Sequence, residues 1–249
     1  MIDVDTGAAP VRAAFTTRAG GTSAGGFASL NLGVTTGDDP HAVRVNREAI
    51  AGALGFDAAR AASMSQVHGA EVISLGPEGG AGAFTGSLDG VAECDAAVTR
   101  APGVALLAMG ADCPVIVIWD VHGEVVAAVH AGWRGIVAGV IGAAVRATGA
   151  EPGALRAVVG PHVRPCCYPV DDSLRASLAS AHGPDVVVGE AVDLGGACRS
   201  ALAQAGLGRA GIRVEEHCTS CEAGRFYSYR RDGAATGRQA AVIWIEEPA

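Results

Sequence analysis

Charge, aromatic side chains and long apolar runs are all in short supply in this chain, and each shortage excludes a class of protein. Charged residues make up 18% of the 249 positions against 49% apolar, which supplies ample material for a buried core and excludes a disordered chain. The apolar stretches are broken by Asp112, Asp120, Glu124 and Arg134, so none approaches the ~18 uninterrupted apolar residues that read as a spanning helix. No membrane partner is expected. The segment Met1-Ile2-Asp3-Val4-Asp5 lacks the basic and apolar regions of a secretory signal, and a cytoplasmic location is the expectation. A net charge of -8 and a pI near 5.3 exclude a broad electrostatic footprint for nucleic acid, while a local basic pocket for a small anion stays open.

Aromatic residues are only 4% of the chain, against 36 glycines, so the core is expected to be built from Ala, Val, Leu and Ile between many close turns. Seven cysteines, an odd number at irregular spacing, do not form a secreted disulfide framework. Reduced thiols are the expectation. No internal repeat, low-complexity segment or linker stands out, and residues 1–249 read as a single domain. Gly20-Gly21, Gly25-Gly26 and Gly79-Gly80 mark loops with unusual backbone angles.

Hydrophobic periodicity predicts a helix over Asp39 to Leu54, capped by Asp38 or Asp39, with Arg44 and Arg47 on one side. Strands are predicted at Val72 to Leu75, Ala96 to Val98 and Val104 to Met109, with a flexible loop over Gly76 to Gly90. A helix over Ile136 to Ala147, a strand at Ala157 to Val159 and helices over Asp172 to Ala181 and Leu194 to Ala205 follow. Ile212 to Glu215 and Ala240 to Ile245 close the chain as strands. Interspersed helices, strands and hairpins imply an α+β fold with mixed sheets.

The runs Val115 to Trp119 and Val125 to Val129 flank Asp120-Val121-His122-Gly123-Glu124, a hairpin connection. With His122-Gly123 as the turn, residue 130 faces residue 115 and Cys113 is the diagonal neighbour of His130 on the same face. Side chains at that offset lie about 7–8 Å apart at Cβ, near enough to share an ion. With His68 they form a candidate zinc trio, since imidazole and thiolate suit that ion and three protein ligands leave a fourth position open. Spacing alone favours scattered core cysteines and loop histidines, and a Cys113-His130 hydrolase dyad is a rival to the metal. Cys218-Thr219-Ser220-Cys221 is the one Cys-x-x-Cys and reads as a coincidental pair without a partner motif. Cys166-Cys167 reads as buried thiols. The segment Phe226 to Arg238 carries three arginines around Asp232-Gly233, either a phosphate-binding loop or a charged hairpin tip.

Ser65-Gln66-Val67-His68-Gly69, Ala111-Asp112-Cys113-Pro114, Val129-His130-Ala131-Gly132-Trp133-Arg134-Gly135 and Gly160-Pro161 with Cys167-Tyr168 together resemble one family. It is the family named variously laccase-like polyphenol oxidase, YfiH-type purine nucleoside phosphorylase and peptidoglycan editing factor. Phe15 to Gly21, Ser29 to Leu32, Asn46-Arg47, Tyr229 to Gly233 and Thr236-Gly237-Arg238 extend the likeness over nearly the whole chain.

The resemblance implies zinc, with copper as the other ion, held by His68, Cys113 and His130, which are then also the catalytic residues. It implies an αββα layering like that of the cytotoxic necrotising factor-like cysteine hydrolases. Phosphorolysis of adenosine, inosine and methylthioadenosine is the implied activity, with adenosine deamination at the same site; purine nucleoside and phosphate are the partners. On that basis Arg47, Arg230 and Arg238 are assigned to phosphate, Asn31 and Gln66 to the nucleoside, and Asp112 to a general base or a partner behind a ligand. Arg134 is expected to form a structural pair at the start of the following helix. A peptidoglycan precursor editing hydrolase and a copper-dependent polyphenol oxidase are the alternatives. Seven histidines without a His-x-His pair suit a multicopper site poorly. A monomer is expected.

Overall fold

Central strands that are apolar on both faces need cover on both sides, and this chain covers them by stacking two sheets and adding helices outside each. The computed structural model describes residues 1–80, 84–86 and 91–248. The strands are β1 (Ile2–Val4), β2 (Val11–Phe15), β3 (Ala62–Ser63), β4 (Val72–Leu75), β5 (Ala96–Thr99), β6 (Leu106–Gly110), β7 (Val115–Asp120), β8 (Val126–His130), β9 (Leu155–Val159), β10 (Val187–Val188), β11 (Ala191–Val192), β12 (Ile212–Val214) and β13 (Gln239–Ile245). The helices are α1 (Pro40–Leu54), α2 (Trp133–Ala138), α3 (Val140–Thr148), α4 (Asp172–His182), α5 (Leu194–Gln204) and α6 (Tyr229–Asp232).

One mixed sheet runs β1-β2-β13-β6-β3 and the other β12-β9-β7-β8-β5-β4, with β10 and β11 in a separate hairpin. Along β6, Leu106 and Ala108 enter the core shared with the second sheet, while Leu107 and Met109 face Ile50 and Ala51 of α1. Along β7, Val115, Val117 and Trp119 join that shared core, and Ile116 and Ile118 face α2, α3, α4 and α5. The period of two thus serves two cores at once. The result is an αββα layering, as expected.

Several local expectations are corrected. The helix predicted over Ile136 to Ala147 is two, because Gly139 takes φ +89° and its amide closes α2 onto Gly135 and Ile136. The Asp232-Gly233 hairpin tip is instead the end of α6, started by the Ser228 hydroxyl, which accepts from the Arg231 amide. Arg44 pairs with Glu48 in solvent while Arg47 is 1% exposed, so the two do not share a side of α1. Of the loop predicted over Gly76 to Gly90, residues 81–83 and 87–90 lie outside the described residues.

His162, in the loop after β9, is fully buried with Nδ1 donating to the Gly160 carbonyl at 2.8 Å. Its Nε2 has no partner among the described residues, and Gly195 of α5 packs against it. Burial holds its pKa below the usual histidine value. The unfolded chain therefore takes up this proton first, near pH ~6.5. The contribution of a neutral His162 is complete above that pH and is lost as pH falls, at up to ~1.4 kcal/mol per pH unit. Denaturant melts from pH 7 to 5 should show a steeper loss in the parent protein than in His162→Gln; equal slopes would refute this.

Candidate metal centre

The β7–β8 ladder pairs Val115 with His130 and Trp119 with Val126, the register expected from the turn. Asp120 fixes that turn, its carboxylate accepting the Glu124 and Val125 amides at 2.7 and 2.9 Å. His130 continues the phase of Val126 and Ala128, which point into the core between the sheets, and so emerges at the rim of that core. Cys113 enters from the connection before β7, and His68 from the loop after β3. Among the described residues His68 and Asp112 are the two non-glycine residues with positive φ, +61° and +92°, a conformation that costs about 1–3 kcal/mol unless its surroundings enforce it.

At His68 the enforcing group is Asp95, which precedes β5 and is fully buried. Its carboxylate accepts the amides of Val67, His68 and Gly69 at 3.2, 3.0 and 2.6 Å, and His130 Nδ1 at 2.7 Å. Burial alone would push this carboxyl up, but the bonds from His130 and Gly69 hold it below the usual range. An ionised Asp95 makes Nδ1 the donor, so Nε2 of His130, the nitrogen toward Cys113, is the one that gives up its proton when a metal binds. Burial would likewise lower His130, yet Asp95 and Cys113 raise it to about 9. Burial, with His130 beside it, lowers His68.

One ligand atom from each of His68, Cys113 and His130 lies within 4.8 Å of the others, and the imidazoles meet edge to face at 4.8 Å between centroids. Tetrahedral zinc with ligand distances of about 2.0–2.3 Å spaces its donors roughly 3.3–3.8 Å apart, so small side-chain rotations suffice. Gly132 belongs to the cradle, since a Cβ there would sit 2.3 Å from His68 Nδ1. Two imidazoles and a thiol with an orienting carboxylate fit a metal ion.

The trio lines a cavity of about 750 Å³ that also receives Gln66, Trp133, Arg134, Tyr168, Arg230 and Arg238. Arg134, expected in a structural pair, instead lies over the Trp133 ring at 4.4 Å and has no carboxylate partner among the described residues. Arg230 stacks on Tyr168 and donates to the Pro169 carbonyl at 2.8 Å; Arg238 donates to the Thr236 and Gly237 carbonyls. Gln66 is clamped to β6 through the Met109 amide and carbonyl at 2.8 and 2.7 Å.

Two residues assigned to substrate are placed otherwise. Arg47, though at the cavity wall, spends its guanidinium on the Leu32 and Phe84 carbonyls and Met109 Sδ, and burial lowers its pKa to about 10. Asn31 is fully buried and fixes the chain by accepting the Gly33 and Arg238 amides at 2.9 and 2.8 Å. Both position the wall. Asp112 accepts from the Thr219 hydroxyl and the Arg230 amide, each at 2.6 Å, so the partner behind a ligand is Asp95, not Asp112. Sequence reasoning missed Asp95, whose only signal was a lone carboxylate ahead of an apolar strand.

Residues 12–246 match the family model described as multi-copper polyphenol oxidoreductase laccase. A purine nucleoside phosphorylase of Streptomyces griseus is 41% identical over 240 residues, covering 94% of each chain. One of Geobacillus stearothermophilus, YlmD, is 38% identical, covering 94% of this chain and 90% of its own. The crystal structure of YlmD superposes with a TM-score of 0.91 at 34% identity, over 98% of this chain and 94% of that one. That of the Bacillus licheniformis protein YfiH gives 0.89 at 30%, over 95% and 93%.

Proposed function

The chain belongs to the multi-copper polyphenol oxidoreductase laccase family, and from that premise we propose that it is a purine nucleoside phosphorylase holding one zinc ion on His68, Cys113 and His130. The observation that carries the reading is that trio in a cavity of about 750 Å³ with three arginines free of carboxylate partners among the described residues. Such a volume suits a nucleoside. The names of the relatives point to the same substrates. Adenosine, inosine and methylthioadenosine are the proposed nucleosides, with adenosine deamination at the same site.

Phosphorolysis needs a phosphate oxygen held at the anomeric carbon and charge stabilisation on the departing base. Arg230, Arg238 and Arg134 supply guanidinium forks for the phosphate. Trp133 and Tyr168 give apolar walls to the purine, and Gln66, rigid on β6, orients the nucleoside. When bound, the ion supplies Lewis-acid charge and an ionisable water. The chain has no helix, among the described residues, long and apolar enough to cross a membrane.

One observation favours a second reading. The hydrogen-bonded order Cys113, His130, Asp95 has the layout of a cysteine nucleophile with its base and orienting carboxylate. An amide hydrolase, such as one acting on peptidoglycan precursors, would use it without metal. Purified protein given adenosine is expected to release adenine only with phosphate and inosine without it, and a chelator should stop both. No turnover by metal-loaded protein would overturn the phosphorylase; an amidase that survives chelation would install the thiol reading.

A further inference from the structure

Four of the six cysteines outside the cavity, Cys166, Cys167, Cys218 and Cys221, were expected to be unrelated, two buried and two a coincidental pair. The structure corrects this. Cys166 is exposed and Cys167 half-buried, and both lie beside Cys218 and Cys221. Cys166 Sγ lies 3.7 Å from Cys218 Sγ and 3.6 Å from Cys221 Sγ, and Cys167 Sγ lies 3.4 Å from Cys221 Sγ. All four sulfurs are within 4.8 Å of one another.

These distances distinguish the possible chemistries. A disulfide holds its sulfurs at about 2.05 Å, far closer than any pair here. Four thiolates around one zinc ion at about 2.3 Å sit roughly 3.8 Å apart along each tetrahedral edge, close to the three spacings above. A polynuclear iron–sulfur cluster spreads its thiolates over several irons and needs a wider cage.

The backbone also anticipates a charged sulfur. The Arg164 amide donates to Cys218 Sγ at 3.5 Å. A backbone amide aimed at a sulfur stabilises the charge of a thiolate ligand.

We propose that Cys166, Cys167, Cys218 and Cys221 form a second, closed metal site that binds zinc structurally, independent of the cavity trio. Its role follows from what the two loops carry. The segments are joined by the bridge between His162 and Cys218 and by the Thr219 amide on the His162 carbonyl. Cys167 precedes Tyr168, a cavity wall, and Cys218 precedes Thr219, whose hydroxyl bonds Asp112 beside Cys113. An ion across the four sulfurs staples that wall to the loop holding the first metal site. Four sulfur ligands leave no open position, so the site does no chemistry itself.

The test is zinc content of protein purified anaerobically without chelator. Cys221→Ser is expected to hold one zinc fewer per chain than the parent and to melt several degrees lower, while Cys113→Ala keeps this zinc and loses the other. Equal zinc in Cys221→Ser and parent would overturn the proposal, as would iron in place of zinc. Should Cys221→Ser fail to fold, zinc K-edge absorption on the unsubstituted protein decides: a shell rich in sulfur at about 2.3 Å supports the site. A single sulfur per zinc, or a disulfide among the four cysteines by mass spectrometry, refutes it.

Discussion

Cys113→Ala is expected to lose the cavity metal and to lower kcat/KM for adenosine phosphorolysis at least about a thousandfold, the scale of removing a principal source of transition-state charge stabilisation. The loss should be this large because the trio has no substitute. Among the described residues, the only other group of metal-binding side chains is the four-cysteine cluster across the loops. The fold should survive, since Cys113 is half-buried at a cavity wall and packs in none of the three cores. Far-UV circular dichroism close to that of the parent, with metal analysis and adenosine turnover, separates loss of the site from loss of the fold. A metal-free Cys113→Ala protein with full activity would sink the assignment of the trio. An inactive variant that keeps its cavity metal would move the role of Cys113 from ligand to nucleophile.

Why the hairpin was legible and the rest of the centre was not comes down to the range of the interactions. The β7–β8 register depends on a turn and two flanking runs within sixteen positions, so period-two alternation put His130 opposite Val115 correctly. His68 had no such local constraint; it stood as a candidate without a geometric reason, and family resemblance, not spacing, decided for the trio. Asp95 is 35 residues from His130 and meets it only because β5 pairs with β8, Ala96 opposite Val129. Strand order is set by the packing of whole layers, which no local pattern carries. The same holds for the cysteines, whose pairs are about fifty positions apart and meet through one bridge. Arg44 and Arg47 show the limit on helix faces, for helical phase brings them near each other without saying that only Arg47 meets carbonyls inside. Gly139 and Gly142 look alike in sequence, yet only Gly139 adopts positive φ and ends a helix.

Asp95→Asn should weaken metal binding about 10–100-fold, the usual cost of losing the carboxylate behind a ligating histidine, and lower phosphorolysis with it. The reason is donor counting. Oδ1 accepts from His68 N and His130 Nδ1, and Oδ2 from Val67 N and Gly69 N, so every group facing the carboxylate is a donor. An amide must turn its NH2 to one side. Turned toward His130, it forces Nδ1 to accept and moves the proton to Nε2, the nitrogen that faces Cys113, which then cannot ligate. Turned the other way, it confronts two backbone amides, releases the Val67–Gly69 segment and loosens the positive-φ His68. Either outcome damages one histidine ligand, and the buried mismatch should cost about 1–3 kcal/mol of stability. Competition with a chelator of known affinity reads the metal, and denaturant melts of the metal-free proteins read the fold. Asp112→Asn is the contrasting substitution, since its carboxylate meets Thr219 and Arg230 but neither histidine. It should leave metal affinity near that of the parent. If Asp112→Asn loses metal and Asp95→Asn does not, the orienting carboxylate has been assigned to the wrong residue.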